Sequence, residues 1–281
     1  MLNSLLQTKE SILLLISTPI YLVLILLEIG FSVYHHKNLY KIKDTILNIY
    51  LSSLNFTLDI LLRVYGLFIL NYFFQFKFIE IKNEYVYWFV LLVTQDFMYY
   101  WEHRADHFIR LFWAVHVTHH SSQYFNLTTG FRSSVLQPLY RFVYFIPLAL
   151  IGFSAVDIML MYAITQIYGI LIHTKTIHKL GFLEYFMATP SHHRVHHASN
   201  TIYLDKNLGM VFIIWDKLFK TFKQEDETLP IKYGLTKNIE TPYHPIKIIT
   251  HEWKSLFEDI KNETSWKNKF LILIKPPGWK P

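Results

Sequence analysis

The sequence predicts an all-α integral membrane protein, a bundle of about four to five spanning helices capped by a histidine-rich helical layer. Three observations predict this fold class. Hydrophobic residues make up 52% of the 281-residue chain and charged residues only 17%, which is less charge than a soluble domain usually carries. Long apolar stretches recur along the first 172 residues, and short runs of histidine follow them.

The first two predicted spans come from the N-terminal part of the chain. A span needs roughly 20 largely apolar residues, and residues 11–33 and 46–74 both qualify. Residues 11–33 also resemble a signal peptide, but the apolar run is long, contains Glu28 and precedes no small-residue cleavage pattern. We therefore expect a retained helix. Asp59 and Arg63, four residues apart, are expected on one face of the second helix.

The remaining spans are predicted between residues 85 and 172. Residues 85–101 are flanked by aromatic side chains at both ends, a pattern typical of membrane interfaces. Residues 136–172 are long enough for two helices that turn near residues 152–157. The chain then becomes more polar. We expect N-terminal transmembrane helices over 1–80, a catalytic core over 81–225 and a C-terminal cytoplasmic tail over 226–281.

The loop after the first span indicates which side of the membrane the cap occupies. It carries Lys37, Lys41 and Lys43, and cytoplasmic loops are enriched in Lys and Arg. Counting spans from this loop places residues 103–135 and the region from 173 onward on the same cytoplasmic face. The topology is therefore expected to bring the histidine runs together.

Charge and cysteine content exclude several classes of protein. The formal net charge is +6, with 27 Lys and Arg against 21 Asp and Glu. The cations are scattered rather than gathered into a stripe, which argues against a nucleic-acid partner and favours attraction to anionic lipid headgroups. The chain contains no cysteine, so disulfides and thiolate metal sites are excluded. Any metal must be held by nitrogen and oxygen ligands, and 15 histidines are available.

Three histidine runs carry the expected chemistry. Their members are His103 and His107; His116, His119 and His120; and His193, His196 and His197. Residues three and four apart share a helix face, so each run is expected to present its imidazoles together. One metal ion accepts about four to six ligands, and eight histidines therefore predict two ions. Isolated histidines are expected at the surface or in the core: His35, His36, His244 and His251.

The order HxxxH, HxxHH, HxxHH resembles the fatty acid hydroxylase and sterol desaturase superfamily of integral membrane di-iron enzymes. Residues 113–130 and 173–222, together with the terminal PPGWKP, are similar to the alkylglycerol monooxygenase branch. The resemblance covers roughly residues 85–281. It implies a ninth ligand, His173, which matches a family histidine that follows the helical hairpin.

The resemblance also implies the cofactors and the residues around them. Two iron ions, dioxygen and an external electron donor are expected, with no catalytic residue beyond the metal ligands. Four residues could orient the ligand imidazoles: His192, Asn126, Asp205 and Asn207. Phe108 and Gln123 stand where animal ether-lipid monooxygenases carry glutamates. This departure weakens the expectation of tetrahydrobiopterin as the reductant and leaves the donor unassigned.

The implied activity is oxygen-dependent hydroxylation of a lipid C–H bond, with an ether glycerolipid that is cleaved to an aldehyde and a glycerol as the favoured substrate. The nearest alternative is hydroxylation or desaturation of a sterol or fatty acyl chain. A histidine-rich metal transporter is a different class, but its ligands are expected near helix midplanes. The expected location is the inner or plasma membrane of a bacterium, or the endoplasmic reticulum of a eukaryote.

Overall fold

The chain begins with two long apolar helices. The computed structural model describes residues 9–281, starting with α1 (Lys9–Tyr34) and α2 (Ile42–Phe74). By length and composition, these are the two helices among the described residues that could cross a membrane. Many of their apolar side chains are exposed, including Leu22 on α1 and Leu61 on α2, as expected for a surface that faces lipid rather than water.

The third helix joins an apolar stretch to the first histidine run. Helix α3 (Glu84–Phe108) starts at Asn83, whose side chain accepts a hydrogen bond from Val86 N at 3.1 Å. It extends beyond the predicted 85–101 stretch and carries both His103 and His107. A single extended residue, Ile109, separates it from α4 (Arg110–His120). Helix α4 packs against α3, so the first and second histidine runs face each other.

A helical hairpin follows, as predicted for residues 136–172. It consists of the short helices α5 (Arg141–Tyr144) and α6 (Ile146–Ile151) and the longer α7 (Ala155–Leu171). The chain turns at Gly152, where φ is +119° and a Cβ would lie 2.3 Å from the carbonyl oxygen of Ile79. Glycine is required at this turn. Its position confirms the turn predicted near residues 152–157.

The core sits where the hairpin meets α2 and α3. Fully buried apolar side chains from these elements form one cluster: Leu70, Leu91, Phe145, Leu148, Phe153 and Ile158. Burying such side chains is the main favourable term in folding. This cluster fixes α3 against α7 and therefore sets the distance between the first histidine run and His173.

The polar second half of the chain is folded onto the first. It contains α8 (Pro190–His196), α9 (Ile214–Leu218), α10 (Lys247–Asn262) and α11 (Trp266–Ile274), with two isolated β-bridges. Asp96 of α3 accepts hydrogen bonds from Val211 N at 2.8 Å and Phe212 N at 3.0 Å. These bonds anchor the segment before α9 to the helix that carries His103 and His107.

The C-terminal segment packs on the second histidine run. Arg110, at the start of α4, pairs with Glu252 at 3.0 Å and with Asp259 at 2.6 Å, both on α10. Ile272 of α11 is buried against α4 and α10. The segment predicted as a tail therefore forms two helices that support the histidine-bearing helix.

The number of spans differs between the prediction and the described structure. Four to five spans are predicted, whereas two of the described helices reach the length and apolarity of a span. Residues 141–151 and 155–171 form apolar but shorter helices, and α3 carries several buried polar residues. The all-helical architecture is confirmed for the described residues, and the higher span number stays a prediction.

Candidate metal centre

Five histidines from three helices form one group of facing ring nitrogens. Their ligand atoms all lie within 4.8 Å of one another, and all five side chains are buried. The members are His103 and His107 from α3, His116 and His120 from α4, and His196 from α8. We call this set the five-histidine group.

The other four predicted ligands form a second group beside the first. Again the ligand atoms lie within 4.8 Å of one another. The members are His119 from α4, His173 just after α7, His193 from α8 and His197 at the end of α8. We call this set the four-histidine group. The structure thus brings together all nine histidines that the sequence singled out.

The sequence predicted that all histidines of one run lie on the same helix face and point together. The division into two groups corrects this expectation. His119 and His120 are neighbours in sequence but belong to different groups, and so do His196 and His197. Successive residues on a helix point roughly 100° apart, so adjacent side chains can reach two separate points. The rings of His120 and His197 stack with centroids 4.5 Å apart. The two groups are therefore in direct contact.

Backbone carbonyls orient four of the rings. Each accepts a hydrogen bond from Nδ1 of one histidine: Leu208 from His103 at 2.7 Å, Arg132 from His119 at 2.8 Å, Gly169 from His173 at 2.6 Å and Lys206 from His196 at 3.0 Å. A carbonyl oxygen can only accept, so Nδ1 carries the proton in these rings. In a neutral imidazole the other nitrogen, Nε2, then presents a bare lone pair.

The Nε2 atoms of the rings lie close to one another inside the groups. The Nε2 atoms of His103 and His116 are 3.1 Å apart, and Nε2 of His173 lies 2.8 Å from that of His193. The Nε2 atoms of His107 and His196 are buried without a hydrogen-bond partner. Buried acceptors that lack donors are costly, whereas a cation satisfies all of them. Sets of five and four imidazoles fit the coordination of iron or another nitrogen-binding metal.

Burial keeps the imidazoles in the form that binds metal. Desolvation lowers the pKa of His119 to about 4. It also lowers the pKa of seven other rings well below 6.5, with neighbouring imidazoles adding to the effect: His103, His116, His120, His173, His193, His196 and His197. These rings are neutral at pH 7, and neutral imidazole is the ligating form.

Of the four residues expected to orient the ligands, Asp205 contacts a ligand ring. Its Oδ1 accepts from Nδ1 of His107 at 3.1 Å. Asp205 lies in the left-handed region with φ +56°. A carboxylate behind a ligand histidine fixes the ring and raises its basicity.

The hydrogen bonds of the other three residues go to different partners. Asn126 caps a 3-10 turn by accepting from Thr128 N at 3.0 Å. Asn207 donates to the carbonyl oxygens of His192 and Lys223 and closes a loop. His192 itself accepts from Thr189 N at the start of α8. All three satisfy backbone groups near the ends of helices or in turns.

The isolated histidines lie apart from the centre. The two groups contain none of His35, His36, His178, His244 and His251 within the part of the chain that is described. This agrees with the expectation that His35, His36, His244 and His251 are surface or core residues.

Buried polar residues behind the five-histidine group were missed by the sequence reasoning. Asp106 Oδ2 lies 3.6 Å from Nδ1 of His116, and Ser134 Oγ lies 3.2 Å from the same nitrogen. Tyr140 donates to the other oxygen of Asp106 at 2.7 Å. The position of Asp106 directly before His107 was a usable signal. Ser134 and Tyr140 come from a distant segment and offered none.

A second missed network supports the four-histidine group. Arg132, whose carbonyl accepts from His119, is fully buried and donates to Asn48 Oδ1 at 2.7 Å. Its guanidinium also lies 3.4 Å from Asp44. Glu28 accepts from Leu127 N at 2.8 Å and from the hydroxyl groups of Tyr40 and Thr174. These carboxylates tie α1 and α2 to the segments that hold His119 and His173.

Comparison with known proteins agrees with this geometry. Residues 88–221, which contain all nine histidines, match the fatty acid hydroxylase family model. The chain belongs to the fatty acid hydroxylase family. It is 43% identical to the alkylglycerol monooxygenase of Homo sapiens over 195 residues, which cover 69% of this chain and 43% of that protein.

Further relatives extend the comparison. The alkylglycerol monooxygenase of Danio rerio is 34% identical over 94% of this chain and 59% of its own length. The lathosterol oxidase of Mus musculus is 27% identical over 47% of this chain and 43% of its own length. The chain thus spans about half the length of the curated relatives it matches. No solved structure matches it significantly.

Proposed function

We propose that the protein is a membrane-bound di-iron oxygenase that hydroxylates a C–H bond of a lipid, with an ether glycerolipid as the favoured substrate. The observation that carries this proposal is the pair of contiguous histidine groups with inward-facing lone pairs. The similarity to alkylglycerol monooxygenases favours the ether lipid. When bound, two irons supply the electrons and the oxygen-binding sites that oxidation of an unactivated C–H bond requires.

We assign one iron to each group. The five-histidine group holds one ion, and the four-histidine group, which includes His173, holds the other. The chain itself orients the rings through Nδ1, with the carboxylate of Asp205 acting on His107. It also limits access of water, because the ligand side chains other than that of His119 are buried. Exclusion of water strengthens electrostatic interactions at the site and suppresses side reactions.

The reaction balances with an external two-electron donor. A CH₂ group next to an ether oxygen, dioxygen, two electrons and two protons give a hydroxylated carbon and water. The product is a hemiacetal. Its C–O bond to glycerol breaks as the hydroxyl proton is lost, which releases an aldehyde and a free glycerol hydroxyl. The donor is a further partner of the protein.

We propose that the site faces the cytoplasm at the membrane surface. The lysine-rich loop between α1 and α2 supports this orientation by the positive-inside rule. The exposed apolar surfaces of both helices support an environment of lipid around them. In such an arrangement a lipid reaches the cap laterally from the bilayer. Residues 1–80 then act as the membrane part, 81–225 as the catalytic core and 226–281 as its C-terminal support.

Sterol or fatty acyl oxidation is the second candidate. The similarity to lathosterol oxidase favours it, and the same pair of metal ions could serve either substrate. A metal transporter is less well supported, because the nine histidines form two compact groups rather than a series along a path.

The test is oxygen-dependent oxidation of lipids by the purified full-length protein. Iron-loaded wild type in nanodiscs, given a reductant, is expected to convert a 1-O-alkylglycerol to an aldehyde in air and not under argon. His120→Ala is expected to abolish product, whereas His178→Ala, outside both groups, retains it. Oxidation of a sterol or acyl lipid instead would favour the second candidate. Iron-loaded protein that oxidises no lipid would contradict the proposal.

A further inference from the structure

Helix α11 exposes an apolar face although its other side is buried. Trp266 is 83% exposed, Phe270 59% and Ile274 40%. Their spacing of four residues places all three within an arc of about 80°, since successive residues turn by about 100°. Ile272 points to nearly the opposite side and is buried against Ala114 of α4. The helix is therefore held to the cap by one side and presents an apolar surface on the other, which is typical of an interaction site.

Lysines border this apolar face on both sides. Around the helix, Lys267 lies about 20° beyond Ile274, and Lys269 lies about 60° from Trp266 on the other edge. Nζ of Lys269 is 4.9 Å from the centre of the Trp266 ring. Residues 264–281 contain four lysines and neither Asp nor Glu. An apolar face with aromatic rings and bordering lysines is typical of a helix that lies in the headgroup region of a membrane.

Contacts with α2 place the segment that carries α11 near the membrane. The 33 residues of α2 extend about 50 Å at 1.5 Å per residue, whereas a hydrocarbon core is about 30 Å thick. Ile248 of α10 is buried against Leu47 and Leu51 in the first turns of α2. Nζ of Lys41 lies 5.2 Å from the centre of the Tyr243 ring. In the orientation proposed above, these contacts place the start of α10 at the level of the cytoplasmic headgroups.

We propose that the face formed by Trp266, Phe270 and Ile274 docks on the cytoplasmic surface of the same membrane, with anionic phospholipids as its partner. The three apolar side chains enter the headgroup layer, and Lys267 and Lys269 pair with anionic headgroups. A lipid surface fits this face better than an acidic protein does, because α10 already starts at the level of the headgroups.

This contact is additional to the spanning helices and involves neither the metal ligands nor the oxidised bond. The inference rests on the membrane placement proposed above, and not on the oxidation chemistry. Because α11 and α10 pack on α4, the docked face holds the second histidine run at a fixed height over the bilayer.

Site-specific fluorescence of the full chain in nanodiscs tests the inference. The chain contains no cysteine, so Phe270→Cys provides a single site for a polarity-sensitive dye. Two bilayers are compared, phosphatidylcholine alone and phosphatidylcholine with phosphatidylserine, each with and without a lipid spin-labelled near its headgroup. With phosphatidylserine we expect emission at shorter wavelength and about twofold stronger quenching by the spin label than in phosphatidylcholine alone, because the anionic surface attracts the lysines.

Charge reversal provides a matched pair of variants. Lys267→Glu combined with Lys269→Glu, in the labelled protein, is expected to abolish the response to phosphatidylserine, because the borders of the face then repel anionic lipid. Lys232→Glu combined with Lys237→Glu reverses two exposed lysines outside α10 and α11 and is expected to keep the response. A dye at Leu61→Cys, on the exposed apolar surface of α2, is expected to be quenched by chain-labelled lipid in both bilayers.

A dye at position 270 that responds equally to the two bilayers, or a response that the reversal on α11 leaves unchanged, would overturn the inference. So would emission at shorter wavelength without quenching by spin-labelled lipid, because a protein would then cover the face. Either result together with quenching at Leu61 would leave the proposed function standing. Docking by a protein that oxidises no lipid would support the inference and count against the proposed function.

Discussion

His103 and His116 are 13 residues apart in the sequence, yet their Nε2 atoms lie 3.1 Å from each other. Nδ1 of His103 donates to the carbonyl oxygen of Leu208 at 2.7 Å. In the neutral ring Nε2 therefore carries a lone pair, which is directed at the ring of His116. The contact arises because α3 and α4 are joined by one extended residue, Ile109. It is the kind of close approach that a shared cation stabilises.

The first prediction concerns the carboxylate behind His107. Replacing Asp205 with Gly removes the side chain without straining a backbone that has positive φ. We expect metal affinity to fall 10- to 100-fold, as is usual when a partner of a ligand histidine is lost. Asp205→Asn keeps an acceptor for Nδ1, and asparagine tolerates this backbone conformation. This variant should therefore lose much less metal affinity. Competitive chelation measures the metal affinity of wild type and of both variants. Equal affinities in all three proteins would exclude an orienting role for Asp205.

The second prediction concerns the buried carboxylate of α1. Glu28→Ala leaves Leu127 N, Tyr40 and Thr174 without their acceptor. Each unsatisfied buried group costs about 1–3 kcal/mol, so we expect the free energy of unfolding in detergent to fall by about 3 kcal/mol or more. Glu80→Ala, an exposed residue in the loop after α2, serves as the control. A stability change no larger than that of the control would show that Glu28 does not tie α1 to the cap.

The third prediction is a loss of stability of the metal-free protein in acid. Burial lowers the pKa of His119 to about 4 in the folded state, whereas an unfolded histidine titrates near 6.5. Between these values the unfolded state binds more protons, so stability falls as the pH decreases. We expect the thermal midpoint of the metal-free protein to be several degrees lower at pH 5 than at pH 7. A midpoint that is constant or rises over this range would contradict neutral, buried histidines.

The sequence predicted those parts of the site that depend on local spacing. The apolar lengths predicted α1, α2 and the hairpin, and the i, i+4 spacing correctly placed His103 and His107 in one group. The assignment of His119 and His120 to different groups depends on how α4 lies relative to α7 and α8. Spacing along one helix does not contain that information.

The residues that support the histidines show the same limit of prediction from sequence. Asp44 and Arg132 approach to 3.4 Å, although 88 residues separate them in the sequence. Their pairing is set by the packing of α2 against the 3-10 turn that follows α4. Asn126 and Asn207 lie in segments that resemble the family, yet both bond backbone groups. A motif identifies the segment of the chain, whereas the partner of each side chain is determined by the tertiary fold.

The central claim is that the two histidine groups hold one metal ion each. The most direct test is the iron content per chain, measured by mass spectrometry on purified protein loaded with Fe(II) without oxygen. We predict two ions in wild type, one in His107→Ala, which disrupts the five-histidine group, and one in His193→Ala, which disrupts the four-histidine group. His251→Ala should keep two. A single ion in wild type, or two ions retained in both group variants, would contradict the account.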